Sequence, residues 1–389
     1  MTSEPRKHFT VINKNAGGYS SRELGKLYEI LHSQPHKLTG EIIATPDLDS
    51  LEYQLKRYKD YHPDILGIGG GDGTASRTLT LVQKVWGSLP EYIAPYAMGT
   101  MNNWAMPFGL NDGLVDKLKQ RTGIGDTKAV QLARYIQRSA EQGTAMATSE
   151  MALLDVNGRR GFNIGFGLVP KLIWLYYGKT IDQYRQLERE LSTSVPEDYE
   201  SVLEGILTER KPWEGLIDVM ASGDLLRGLG TVNAVKTAAA SISGIVLRRK
   251  KEREFFAEPL AADLYITEPD GKERKLQLPQ PATGIYIASY EKSNVGLPYL
   301  TLQAAPEARQ KPGMMQVVIT YAAPMEIVLQ IPHLFAGIHL DNTTYYHTSQ
   351  LRVVGKGPII AEVDADSILA TEFIARHDQT LKFISMNGE

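Results

Sequence analysis

The sequence predicts an α/β protein with a parallel-sheet domain at the N-terminus. A mostly antiparallel, β-rich domain with a helical insert follows. Three observations predict this. In the first third, short β-rich runs alternate with helix-like stretches. From about Ser149 the chain turns to strands and tight turns. Within the first third, one apolar run, Ile65 to Ile68, ends in Gly69-Gly70-Gly71-Asp72-Gly73-Thr74 just before a helix-like segment.

Taken in order, the β-rich runs are Phe9 to Ile12, Glu41 to Ala44, Ile65 to Ile68 and Tyr92 to Ala94. The helix-like stretches between them are Ser21 to Leu31, Leu48 to Tyr61 and Ala75 to Val85, and Thr127 to Ala140 leads onward. Strands separated by helices are joined by crossovers and must run parallel, with ligands expected at their carboxyl ends. The later runs are Met151 to Val156, Gly161 to Ile164, Leu260 to Thr267, Gly284 to Ser289, Met315 to Tyr321 and Leu351 to Ala365. They follow one another with few helices and read as antiparallel. The resulting division is a domain at 1–140 and a second at 141–389, with the helical insert at about 170–253.

A chain of 389 residues exceeds one typical core and suits two domains. Its 42% hydrophobic and 22% charged residues are those of a globular protein. The net charge of −3 supplies no electrostatic reason for a nucleic-acid partner. The absence of cysteine excludes disulfides, thiolate metal sites and a cysteine nucleophile, and suits a reducing compartment. Met1 to His8 is polar, and no window reaches ~18 consecutive apolar residues, so a cytoplasmic protein without membrane spans is expected.

A strand ending in a glycine-rich turn and feeding a helix suits a phosphate cradle. Glycines permit φ > 0 and a close backbone approach, and the first amides of the helix point at the ligand. Asp72 would repel phosphate unless a cation or a hydroxyl lay between them, which points to Mg²⁺ or a nucleotide hydroxyl nearby. The pattern is neither a Walker loop, which would end in Lys, nor the dinucleotide fingerprint. A tight turn beside a strand would also explain some of the glycines. A second turn, Met98-Gly99-Thr100-Met101-Asn102-Asn103, offers neutral hydrogen-bonding groups for ribose, phosphate or metal-bound water. An ordinary helix N-cap explains that turn equally well. A third, Asn13-Lys14-Asn15-Ala16-Gly17-Gly18, ends the first strand and brings a lysine that can neutralise phosphate charge. Three such turns at carboxyl ends would converge on one crevice.

These turns, with Phe162-Asn163-Ile164-Gly165-Phe166-Gly167 and Val363-Asp364-Ala365-Asp366, occur in an order that resembles the diacylglycerol kinase-like lipid kinases. That family includes the sphingosine, ceramide and bacterial lipid kinases and is distantly similar to NAD kinases and phosphofructokinases. The resemblance runs from residue 13 to 366. It implies an N-terminal nucleotide-binding domain, a C-terminal β-sandwich and ATP-dependent phosphorylation of a diacylglycerol-like lipid hydroxyl in the cleft between them. It further implies ATP and Mg²⁺ as cofactors, with Gly69, Gly70, Gly71, Asp72, Gly73 and Thr74 as the ATP-phosphate loop. Thr100 and Thr45 are implied nucleotide contacts, and Asn13, Lys14 and Asn102 stand on the converging turns. Asp366 falls where the family carries the glutamate of an Asp-Gly-Glu turn and is implied as the base on the lipid hydroxyl.

Three departures stand out. Asp366 is one methylene shorter than glutamate, Asn103 replaces an aspartate, and Lys311-Pro312-Gly313-Met314-Met315 lacks the acid of a structural Mg²⁺ site. Two rivals follow from the same residues: a soluble NAD kinase-like enzyme, and a catalytically inactive lipid or nucleotide sensor.

Within the insert, Val232, Val235, Ala239, Ile242, Ile245 and Val246 recur at helical spacing and lead to Arg248-Arg249-Lys250-Lys251-Glu252-Arg253. The segment reads either as a peripheral contact with an anionic membrane or as a core-packed helix with a solvated basic end. The eight histidines, His333, His339 and His347 among them, show no metal-ligand spacing. Nothing in the sequence specifies the oligomeric state.

Overall fold

The computed structural model describes residues 5–16, 21–32, 38–99, 102–110, 125–176, 181–193, 250–268, 271–289, 292–294, 301–303, 313–322, 326, 340–364 and 366–386. The chain forms two compact units, Met1–Met151 with Thr380–Glu389, and Ala152–Gln379.

In the first unit, β1 (Arg6–Asn13), β2 (Leu38–Thr45), β3 (Ile65–Gly70) and β4 (Tyr92–Ala97) form a parallel sheet in the order β2-β1-β3-β4. Every residue of β3 is buried, as expected for an inner parallel strand covered on both faces. Helix α1 (Ser21–Leu31) buries Leu27, Ile30 and Leu31. Helix α2 (Leu48–Arg57) is capped by Asp47, whose carboxylate accepts the Ser50 amide at 2.8 Å, and closes with Lys56 and Arg57. Helix α3 (Asp72–Trp86) stops at Gly87 with φ of 80°. Helix α4 (Lys128–Gln142) runs from the Thr127 cap to Gly143.

The elements sit where the alternation places them, with one difference that matters for the site. Helix α3 begins at Asp72 rather than Ala75, so Asp72, Gly73 and Thr74 form its first turn. The end of the last strand, β16 (Asp366–Ile384), also belongs to this sheet, with Lys382 and Phe383 beside Tyr92 and Ile93 in parallel register. Phe383 stacks on Phe108 at 4.4 Å between ring centroids and meets Trp104 edge-on, which holds residues 380–384 in this unit.

The second unit is antiparallel, as expected. It contains β5 (Thr148–Val156), β6 (Arg159–Gly161), β7 (Asn163–Gly167), β8 (Ala262–Thr267), β9 (Glu273–Lys275) and β10 (Gly284–Ala288). Then follow β11 (Lys292–Asn294) and β12 (Thr301–Gln303), paired with each other, β13 (Met315–Thr320), β14 (Thr343–Thr348) and β15 (Gln350–Val363). The sheet order is β14-β13-β10-β7-β15-β16, with β8 on β15, β9 on β8, and β5 on β16 and β6. One apolar cluster holds Phe166, Ile287, Val317, Val353, Val363 and Phe373. Another joins Ile360 and Leu369 to the aromatic side chains of α5 (Leu168–Tyr176), α6 (Ile181–Thr193) and α7 (Lys250–Ala257).

The expected helical insert is represented by these three helices. Residues 194–249, with the whole apolar stripe and Arg248 and Arg249, lie outside the described residues. Among the described residues no helix is long and apolar enough to cross a membrane.

Candidate functional site

The glycines of the phosphate-loop motif do not adopt the positive φ that the sequence permits. Gly69 and Gly70 end β3, and Gly71 caps α3 with φ of −92°, so the turn does not use the left-handed region. Close approach instead accounts for glycine at Gly67 within β3 and at Gly70 and Gly99 in the turns. A Cβ on Gly67 would meet Thr10 Oγ1 at 2.5 Å and Tyr96 Cε2 at 2.7 Å, and one on Gly70 would meet Thr74 Oγ1 at 2.5 Å. At Gly99, in the second turn, a Cβ would run into the Gly71 backbone, 2.7 Å from its nitrogen. Two glycine turns from consecutive strands therefore touch backbone to backbone.

Gly99→Ala is expected to destabilise the protein by about 1–3 kcal/mol, because backbone cannot rotate away as a side-chain tip can. Gly71→Ala, whose Cβ would stand 3.2 Å from Gly99 Cα, should cost less. Urea midpoints of the two variants check the order. Equal midpoints would show that the contact is loose.

Side chains tie the same turns together. Asn102, in the left-handed region with φ of 53°, accepts the Gly99 amide at 2.7 Å and donates to the Gly99 carbonyl at 2.9 Å. The Asp72 carboxylate accepts the Trp104 amide at 2.9 Å and is bonded by the Asn103 amide as well. It thus caps the 3₁₀ turn Asn103–Phe108. Burial pushes the Asp72 carboxyl up to about 6, against the opposing pull of those two amides.

From β1, Asn13 Nδ2 donates to Thr74 Oγ1 at 2.9 Å while Asn13 Oδ1 accepts the Asn15 amide. The Lys14 amide donates to the carbonyl of buried Thr45 at 3.0 Å, and the Lys14 side chain is exposed. Within one unit Asn13 thus contacts Thr74, Lys14 contacts Thr45, Gly99 contacts both Gly71 and Asn102, and Asp72 reaches the second turn through the Asn103 and Trp104 amides. Thr100, Gly17 and Gly18 lie outside the described residues.

Asp366 lies in the second unit, at the start of β16. The hairpin before it turns on Asp364, whose φ is 51°. The buried Asp364 carboxylate accepts the amides of Phe162 and Asn163 at 2.9 Å each and the Asn163 side-chain amide at 3.3 Å. Tyr286 in turn donates its hydroxyl to Asn163 Oδ1 at 2.7 Å. The first aspartate of the motif thus locks the turn that presents the second. Asp366 is half-buried and faces Arg159 at 3.9 Å.

Residues 7–135 match the diacylglycerol kinase catalytic domain. This segment belongs to that family. Two solved structures of candidate diacylglycerol kinases from Bacillus anthracis str. Sterne share the fold at 12% identity, with TM-scores of 0.58 and 0.57. The alignments cover 100% of this chain and 100% and 99% of theirs. A structure of a diacylglycerol kinase from the same organism matches with a TM-score of 0.53, again at 12% identity, over 100% of this chain and 99% of that one. No curated protein matches the chain.

The diacylglycerol kinase-type segment fits a nucleotide phosphate in two respects. The cradle has no room for Cβ atoms where its turns meet, and the first-turn amides of α3 have no intrahelical acceptor. Among the described residues no group of three or more His, Cys, Asp or Glu is arranged to hold a metal. One carboxylate, Asp72, suits a hard cation carried chiefly by phosphates and water.

Four groups escaped the sequence reading: the Asn103 amide, the Trp104 amide, Arg159 and Glu362. The last had a signal, since Glu362 is a lone acid inside the apolar run Pro358-Ile359-Ile360-Ala361-Glu362-Val363. The others are brought in by folding alone.

Proposed function

We propose that the protein is an ATP-dependent lipid kinase that transfers the γ-phosphate to the hydroxyl of a diacylglycerol-like lipid. The observation that carries this reading is the contact of Gly71 with Gly99, braced by Asp72 and Asn102, inside the segment that matches the catalytic domain. In phosphoryl transfer the protein acts mainly by positioning and by neutralising charge.

The residue assignments follow from that. The turn of Gly69, Gly70, Gly71, Gly73 and Thr74 receives the phosphates at the start of α3, with Thr45, Thr100, Asn13 and Asn102 shaping the nucleotide site. The Lys14 ammonium offsets phosphate charge. Mg²⁺ would supply charge neutralisation on the phosphates, with Asp72 orienting its water. Asp366 takes the proton from the lipid hydroxyl, and Arg159 holds that carboxylate in direction. The acceptor lipid resides in a membrane, so the enzyme is cytoplasmic and works peripherally at the surface, without nucleic acid as partner.

The test is transfer of labelled γ-phosphate from ATP to a lipid extract and, side by side, to NAD. Label in a phosphorylated lipid is the expected result. Label in NADP instead, or ATP binding with no transfer to any lipid, would replace this reading by one of its two rivals.

A further inference from the structure

The strand pair that carries Asp366 also conceals a second carboxyl. Glu362 on β15 is 3% exposed and stands in register opposite Ser367 of β16 and Gly165 of β7. The Ser367 hydroxyl donates to Glu362 Oε1, while Oε2 is buried with no hydrogen-bond partner among the described residues. A charged carboxylate there would be poorly solvated. Burial, with the nearby charge of Asp366 adding to it against the Ser367 bond, pushes this carboxyl up to about 8.

The remaining charged and titratable neighbours do not compensate it. Tyr184 of α6, itself buried, faces Glu362. Lys171 of α5 directs its ammonium elsewhere, to the Phe255 carbonyl at 2.9 Å and to Glu258 at 3.5 Å. Trp174, Phe255 and Phe256 pack in the same apolar cluster as Tyr184. A lone acid in an apolar strand has no packing advantage over leucine or methionine, and burying it without a partner is costly.

We propose that Glu362 is a positioning residue for Asp366: through the Ser367 hydroxyl it fixes the start of β16, and its own ionisation sets the charge beside the Asp366 carboxylate. The proposal rests on Asp366 being the base. Below pH 8 Glu362 carries its proton and adds no negative charge beside Asp366. Above it, a second charge arrives beside Asp366 while the Ser367 bond is kept, and repulsion between the two carboxylates displaces the base.

The experiment measures kcat against pH in the full chain, with carboxyl titrations followed by carbon-13 NMR. Glu362→Ala should lower kcat about 10 to 10²-fold with KM for ATP little changed, since misdirecting a base costs the chemical step. Glu362→Gln keeps size and an acceptor for Ser367 without a charge. It should restore most of the turnover lost by Ala and abolish the alkaline fall expected near pH 8 in the wild type. In Asp366→Asn the Glu362 midpoint should move down, because a like charge has been removed. A Gln variant that keeps the alkaline fall while Asp366→Asn is slow would overturn the positioning role alone, as would an unmoved midpoint. An Asp366→Asn variant as active as wild type would instead remove the base assignment, and the proposal with it.

Discussion

Asp366→Asn is expected to slow single-turnover phosphoryl transfer about 10²- to 10⁴-fold while leaving ATP binding nearly unchanged. Asparagine keeps the size of the side chain and can still meet Arg159, which stands 3.9 Å from the Asp366 carboxylate, but it cannot accept a proton. The hairpin is held by Asp364 through the amides of Phe162 and Asn163, so the substitution should not disturb the fold. Asp366→Glu is the informative partner. A site shaped around the shorter acid should lose turnover on gaining a methylene, whereas an inactive protein has none to lose. The measurement is transfer at saturating ATP and lipid. An Asn variant as fast as wild type would show that Asp366 is a turn residue only.

The second large effect is expected at Asp72, where Asn should remove about 10²-fold or more of turnover at every Mg²⁺ concentration without lowering stability at neutral pH. An amide oxygen still accepts the Trp104 amide, so the brace between the two turns survives, but the charge that orders a cation is gone. The pH dependence has a definite sign. Burial raises this carboxyl from 3.8 to about 6, so the folded state holds the proton more tightly than the unfolded chain does. Its contribution to stability is therefore fully present below 3.8 and declines as pH rises to about 6. Asp72→Asn should lack that decline, and wild-type kcat/KM for ATP should fall below pH 6 as the charge is lost. Urea melts across this range check the first statement, and turnover checks the second. Wild-type activity in the Asn variant would show that Asp72 serves the 3₁₀ turn alone.

Much of the parallel unit was legible because its signals are local. Alternating β-rich and helix-like segments, Asp47 and Thr127 as caps, and Gly87 and Gly143 as stops act within a few residues of one another. Strand β16 was not legible as a strand. Its 19 residues mix apolar positions with Glu372, Arg376, His377 and Asp378, and its alternation is visible only once Phe373 and Ala375 are known to face the core. The return of residues 380–384 to the first unit depends on Phe108 and Trp104, far away in sequence.

By itself, then, the sequence determined the α/β class, the order of the glycine and asparagine turns and the chemical types of the candidate site residues. These depend on periodicity and on residue chemistry, which neighbours along the chain suffice to express. Only the tertiary structure decided what those residues do to one another. Gly71 and Gly99 are glycines because their backbones touch, the Asp72 carboxyl is raised because burial outweighs the pull of the Asn103 and Trp104 amides, and that of Glu362 is raised because burial and the charge of Asp366 outweigh its bond from Ser367. Close approach and desolvation are properties of distance in space, and no single stretch of chain encodes them.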